Sequence, residues 1–241
     1  MGEPALLNNV DHQDVRVITE RSAKYGDDVM FAMTFPAEFR DIQTDYPILF
    51  HKHEEGVYGP VALFGFTEGE NLFLDDAGWN ATYVPAMIRR QPFMIGFQQT
   101  KIDGNHELIR VLSIDMEHPR VSETEGEALF QPLGGRTEYL EDAANLLEVI
   151  YEGLEHGKAF VKELNDRGLI EEVSFDITLK DGSRNQLLGF AAINEDRVQE
   201  LTAEALEQFN QKGFLMPMFM MIASMSNIRK LIEKKNATLD E

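Results

Sequence analysis

The chain has 241 residues, 43% of them hydrophobic and 27% charged, a composition typical of a folded protein with its own core. Its 42 acidic and 22 basic residues give a formal net charge of −20, a field that repels nucleic acids and anionic membrane surfaces. The absence of cysteine excludes disulfides, thiolate nucleophiles and sulfur-ligated metals.

The first half of the chain is predicted to consist mainly of short strands rich in β-branched and aromatic residues. These strands are predicted at residues 15–17, 29–35, 48–51, 61–66, 93–101 and 107–115. A short helix over residues 37–44 follows Pro36, and one or two helical turns cover residues 85–90. Asp103-Gly104 favours a hairpin between the last two strands.

The second half alternates helices with one further hairpin. Apolar residues at helical spacing predict a helix over residues 138–164, which Gly153 and Gly157 could break into two. Strands at 175–179 and 186–193 flank Asp181-Gly182. An amphipathic helix is predicted at 196–211, a buried strand or helix at 216–223, and a final helix at 227–235.

Hairpins and helices in separate blocks predict an α+β fold, with a mainly antiparallel sheet built from hairpins and flanked by helices. We expect a single large domain over residues 12–235. A sub-boundary is most plausible near residues 132–136, where hairpin-rich sequence gives way to helix.

No segment predicts export or membrane insertion. The longest apolar stretch, residues 214–223, is too short to span a bilayer. The N-terminal residues lack the basic region and long apolar run of a signal peptide. We therefore expect a cytoplasmic protein without an integral membrane segment, and no nucleic-acid partner.

One string of residues has the character of a metal site. His51 and His53 alternate along a predicted strand, so both imidazoles would face one way, with Glu54 and Glu55 beside them. An exposed acidic loop is the favoured interpretation, and no metal or other cofactor is expected. Core packing is likewise favoured over soft-metal binding for the methionines at 216, 218, 220, 221 and 225.

The stretch 71–97 holds the strongest candidate for recognition. Trp79, the only tryptophan, and Tyr83 offer flat aromatic surface, and Arg89 or Arg90 offers a bidentate clamp for an anion. The candidate ligand-binding residues are Trp79, Asn80, Tyr83, Arg89, Arg90, Asp115 and Glu38.

A structural alternative stays open for the same stretch. Trp79 would then be a core residue, and one arginine would pair with Glu38, Asp76 or Asp115. Adjacent arginines usually point in different directions, so one can be structural while the other binds.

The order of these motifs resembles the SapC family over almost the whole chain, from about residue 12 to residue 231. The matching motifs are Phe39, Tyr46-Pro47-Ile48-Leu49-Phe50, Asn71-Leu72-Phe73, Trp79, Tyr83-Val84-Pro85-Ala86, Arg89-Arg90, Pro92-Phe93, Ile114-Asp115, residues 126–130, Leu164, Gly168-Leu169, Asp181-Gly182, Gly213 and residues 224–227.

The resemblance implies little about mechanism. The family is named for a gene region of bacterial surface-layer proteins. Its members tend to be encoded beside outer-membrane TonB-dependent receptors, flavin-dependent tryptophan halogenases and cupin-like oxygenases. No catalytic residues carry over to this chain.

Three functions follow as hypotheses. The first is an accessory binding protein that recognises a peptide or small anionic ligand, together with an uptake receptor or a modifying enzyme. The second is an enzyme that gathers Glu38, Asp76 or Asp115 around the arginines to act on a peptide or saccharide. The third is a surface-layer-associated protein.

Overall fold

The computed structural model describes residues 4–53, 56–102 and 105–239. Its strands are β1 (Pro4–Leu6), β2 (Arg16–Val17), β3 (Phe31–Met33), β4 (Ile48–Lys52), β5 (Tyr58–Leu63), β6 (Leu74–Asp75), β7 (Gly78–Trp79), β8 (Phe93–Ile102), β9 (Asn105–Asp115), β10 (Val121–Ser122), β11 (Glu127–Ala128), β12 (Ile170–Thr178) and β13 (Arg184–Ile193). Its helices are α1 (Phe39–Ile42), α2 (Ala86–Arg89), α3 (Glu138–Asp166), α4 (Glu195–Gln199), α5 (Ala203–Gln211), α6 (Leu215–Ser224) and α7 (Asn227–Ala237).

The α+β class with antiparallel sheets and several helices is confirmed. Internal contacts divide the chain into two compact units: unit 1 comprises Met1–Asp27 and Ile88–Tyr151, and unit 2 comprises Asp28–Met87 and Glu152–Glu241. None of these boundaries falls within residues 132–136, and the single domain over 12–235 stays a prediction.

Unit 1 is built on two small antiparallel sheets, ordered β1-β9-β8 and β10-β2-β11. The long β8–β9 hairpin forms as predicted, although its turn, Asp103-Gly104, lies outside the described residues. Phe93 and Ile114 pair across the hairpin and pack with Leu140 of α3 in one buried cluster. Burial of these side chains is the main stabilising term of the unit.

Unit 2 contains a five-stranded antiparallel sheet in the order β12-β13-β4-β5-β3. The central strands β4 and β5 are almost wholly buried, which agrees with their apolar sequences. Phe160 packs against Phe39 and Phe214 at ring-centroid distances of 6.0 and 5.5 Å.

Helix α3 runs unbroken from Glu138 to Asp166, so the predicted break at Gly153 or Gly157 is wrong. A Cβ on Gly153 would lie 2.3 Å from Cδ2 of Phe35. A glycine at position 153 therefore leaves room for the Phe35 ring, and it does not mark a change in backbone direction.

The helix predicted over residues 196–211 is two helices, α4 and α5. The hydroxyl of Thr202 accepts a 3.2 Å hydrogen bond from the amide of Ala205, which begins α5 with a side-chain cap. Thr202 is thus the cap residue of α5 rather than an interior residue of one long helix. No helix in the described part of the chain is both long enough and apolar enough to cross a membrane.

Candidate functional site

Glu38 is a buried carboxylate, 4% exposed, at the start of α1 in unit 2. Its Oε1 accepts hydrogen bonds from the Tyr83 hydroxyl at 3.0 Å and the Ala86 amide at 2.6 Å, and its Oε2 accepts one from the Thr34 hydroxyl at 2.6 Å. These donors compensate its desolvation and tie α1 to the segment before α2.

Trp79 belongs to the same hydrogen-bonded region of unit 2. Its Nε1 donates to the Tyr46 hydroxyl at 2.7 Å, and that hydroxyl donates to the Tyr83 carbonyl at 2.5 Å. Burial raises the pKa of Tyr46, so this hydroxyl stays a donor throughout the neutral range. Asn80 is exposed and donates to Asp75 at 2.8 Å. The single polar atom of the indole, Nε1, is thus hydrogen-bonded within the fold.

Arg89 and Arg90 differ in environment, as adjacent arginines were expected to. Arg89 is exposed, whereas Arg90 is half-buried and donates to the Phe93 carbonyl at 2.8 Å. Burial lowers the pKa of Arg90. Asp115 is 6% exposed and accepts a 3.1 Å hydrogen bond from the Glu117 amide. Arg90 and Asp115 therefore have local structural partners in unit 1.

The candidate residues fall in both units. Glu38, Trp79, Asn80 and Tyr83 belong to unit 2, and Arg89, Arg90 and Asp115 belong to unit 1. The carboxylates of the hypothetical enzyme divide likewise, since Asp76 belongs to unit 2. A shared ligand-binding role for this set stays a prediction.

A cavity of about 450 Å³ opens in unit 2 beside the edge strand β12, and we call it the edge cavity. It is lined by Ile48, Glu171, Val173, Phe175, Ala192, Ile193, Asn194, Glu195, Asp196, Met221, Ile222 and Met225. The apolar lining side chains are buried or half-buried, whereas the three carboxylates are exposed. The cavity therefore has apolar walls and an acidic opening.

A second cavity, of about 320 Å³, adjoins the same strand. Glu172 and Ser174 line it, whereas Glu171 and Phe175 line the edge cavity, as expected from the two-residue alternation of a strand. Its other lining residues are Lys52, Tyr58, Val173, Leu188, Gly189 and Phe190. We call it the opposite-face cavity.

An irregularity in the sheet accompanies these cavities. The register between β12 and β13 shifts between Val173 and Phe175, and Gly189 has φ of +83° near that shift. Such a bulge bends its strand and increases the local twist, which glycine permits because it lacks a Cβ. Val173, at the shift, contributes to both cavities.

The charge at the edge cavity is of one sign. Glu171, Glu195 and Asp196 are its charged lining residues, and no lysine, arginine or histidine of the described ranges lines it. Asn194 donates to Glu171 at 2.5 Å and also caps α4. This negative opening would repel a small anionic ligand and attract a cation.

Sequence reasoning missed the edge cavity because its walls come from four separate segments of the chain. Met221 and Met225 were interpreted as core residues, and Met221 is indeed only 2% exposed. Met216, included in the same interpretation, is 58% exposed. The acidic run Glu171-Glu172 was the available signal, but nothing in the sequence shows that it flanks an open sheet edge.

The histidines of the metal-like string are packed against other rings. The His51 ring lies 4.7 Å from that of Phe31 and 5.3 Å from that of Phe190. Burial, followed by the charge of His53, lowers the pKa of His51. Glu54 and Glu55 lie outside the described residues, among which no cluster of three ligand-type side chains forms.

Unit 1 holds a buried ion pair that the sequence did not reveal. Arg120, 1% exposed, donates to Asp27 at 2.6 Å and to the carbonyls of Ile18 and Glu20 at 2.9 and 2.5 Å. Arg21 also donates to Asp27, at 3.3 Å. These contacts join residues 18–27 to the segment after β9, a structural role.

Comparison with known proteins gives one match. The SapC family model matches residues 7–231. No curated protein and no solved structure matches the chain.

Proposed function

The chain belongs to the SapC family, and we propose that it is a non-catalytic accessory protein that binds a peptide at the edge cavity of unit 2. The observation that carries this proposal is the cavity itself. Its volume of about 450 Å³ lies in the range of ligand sites, and eight of its twelve lining residues are apolar, as is typical of such sites.

Binding is favoured over catalysis because the carboxylates that line the edge cavity are all exposed. Acid–base catalysis by paired carboxylates needs their environments to differ strongly, as when one of them is desolvated. Glu171, Glu195 and Asp196 are all exposed, and among the residues that the structure describes neither a serine nor a histidine lines the cavity beside them. The carboxylates are suited to attract and orient a ligand rather than to exchange protons with it.

A peptide is favoured over a small anion because the opening is negative and lies along a strand edge. Gene neighbours of the family suggest where the peptide would come from. It would be a segment of an outer-membrane TonB-dependent receptor, or of a halogenase or cupin-like enzyme. The surface-layer role and the cytoplasmic location stay predictions.

Selection from a displayed library of random peptides tests the proposal directly. The immobilised full chain should enrich a set of peptides, and the Ile222→Trp variant should not, because the indole fills the cavity. Ala223→Trp is the matched control, since Ala223 is exposed on the same helix and does not line the cavity.

Failure of the wild-type chain to enrich any peptide would overturn the proposal, as would equal enrichment by the two tryptophan variants. Thermal unfolding of both variants shows whether each is folded.

A further inference from the structure

We infer that the bound peptide is basic and extended, and that it adds to β12 as a sixth strand of the unit 2 sheet. The inference rests on the proposed function and specifies its ligand. It follows from the edge position of β12, from the two cavities on either side of it and from the charge along it.

Strand β12 is an edge strand of the unit 2 sheet. Among the described strands, β12 pairs only with β13, so its other side presents backbone amide and carbonyl groups without a strand partner. An extended peptide can satisfy such groups by continuing the hydrogen-bonding ladder, and this main-chain pairing supplies affinity. The nine residues of β12 give a peptide enough length to pair.

The edge cavity and the opposite-face cavity both adjoin β12. Side chains of a paired peptide alternate between the two faces of the sheet. One set would reach the edge cavity beside Glu171 and Phe175, and the other would reach the opposite-face cavity beside Glu172 and Ser174. An edge strand with a hollow on each face is what recognition of alternate side chains requires.

The charged residues along β12 and at the edge cavity are acidic. Strand β12 carries Glu171, Glu172 and Asp176 and no basic residue. Glu195 and Asp196 add two carboxylates at the opening of the edge cavity. A lysine or arginine of the peptide can lay its methylene stem on the apolar wall formed by Ile222 and Met225 while its charged end meets these carboxylates.

The same carboxylates exclude the simplest competing occupant. A second copy of the chain, pairing β12 with β12, would bring two acidic edges together, and like charges opposed across strands are destabilising. With a net charge of −20 on each copy, this pairing is further disfavoured. The edge is thus protected against self-association and open to a cationic strand.

The test uses a fluorescent probe of alternating lysine and valine, as long as β12, titrated with the full chain. We expect saturable binding that weakens as salt is raised. A matched probe of alternating glutamate and valine should not bind. A lysine–valine probe N-methylated on every residue lacks the amide donors along both of its edges. It should bind roughly tenfold more weakly or worse, because each lost hydrogen bond weakens a complex severalfold.

A charge-matched pair of variants locates the site. Glu195→Gln/Asp196→Asn should weaken binding of the lysine–valine probe by roughly three- to tenfold, the effect expected of two exposed ion pairs. Glu200→Gln/Glu204→Gln removes the same number of exposed charges from residues that do not line the cavity, and should leave binding unchanged.

Equal binding of the N-methylated probe would overturn strand addition, and equal weakening by the two double variants would overturn the site. Both results are distinct from failure of the proposed function. In either case the library selection could still enrich peptides that depend on Ile222, and only its failure removes peptide binding itself.

Discussion

Trp79 and Tyr46 are joined by a 2.7 Å hydrogen bond from the indole nitrogen to the phenol oxygen, which in turn donates to the backbone of Tyr83. The residue most suggestive of ligand recognition in the sequence therefore has its only donor engaged in unit 2. The ligand-binding role of Trp79 and its neighbours stays a prediction, and the edge cavity at β12 is the site that we propose for the ligand.

The first prediction concerns that hydrogen bond. Tyr46→Phe removes the acceptor of the Trp79 donor and the hydroxyl that donates to the Tyr83 carbonyl, so the free energy of unfolding should fall by about 1–3 kcal/mol. Urea unfolding followed by the fluorescence of the single tryptophan measures it. Tyr58→Phe, which removes only an exposed 3.3 Å bond to Glu172, should cost less than about 0.5 kcal/mol. Equal losses in the two variants would contradict the structural role of Tyr46.

The second prediction concerns the buried ion pair of unit 1. Arg120→Met leaves the Asp27 carboxylate, which is 0% exposed, without its shortest charged partner. The free energy of unfolding should fall by about 3–5 kcal/mol. Lys158→Met breaks an exposed pair with Glu155 and should change it by no more than about 1 kcal/mol. A loss below about 1 kcal/mol in Arg120→Met would show that the pair does not hold unit 1 together.

The third prediction contrasts two glycines in α3. Gly153→Ala should destabilise the protein by about 1–3 kcal/mol, because the new Cβ would lie 2.3 Å from the Phe35 ring and overpacking outweighs the gain in helix propensity. Gly157→Ala meets its nearest neighbour, Pro36 Cδ, at 3.5 Å and should stabilise by about 0.5–1 kcal/mol. Thermal unfolding of the two variants should therefore shift in opposite directions.

The fourth prediction is a pH dependence. Burial lowers the pKa of His51 below its ordinary value, so the unfolded chain binds a proton at this position more readily than the folded one. Stability linked to His51 should be complete above a pH of about 6.5 and should fall as the pH decreases from there through the lowered pKa. Urea midpoints of the wild type and of His51→Phe, measured between about pH 5 and 8, should differ by a constant amount at high pH. On acidification the wild type should lose more stability than the variant. Parallel curves would contradict it.

The sequence predicts those elements that depend on residues close together in the chain, and it misses features that depend on contacts between residues far apart in the chain. Alternation and Asp-Gly turns located the β8–β9 and β12–β13 hairpins, because hairpins form from adjacent residues. Helix α3 was predicted to break at its glycines, because the reason for Gly153 is a ring from far along the chain. Local signals could not reveal that contact.

The candidate site also depends on contacts between residues that are far apart in the chain, which local sequence patterns do not reveal. Trp79 stood out by rarity and chemistry, yet its hydrogen-bond partner, Tyr46, is 33 residues away. The edge cavity gathers Glu171, Asp196 and Ile222 from separate segments beside a bulge, and periodicity does not predict where a bulge opens space. The sequence predicts a peptide or a small anionic ligand, whereas the acidic opening of the edge cavity supports our proposal of a basic peptide.

Amide hydrogen exchange in the presence of the lysine–valine peptide tests the central claim most directly, because a strand added to a sheet edge protects the backbone it pairs with. We predict slower exchange within Ile170–Thr178, and no change at the other edge strand of the same sheet, Phe31–Met33. Unaltered exchange in β12 under saturating peptide, or protection confined to residues away from this strand, would contradict the account.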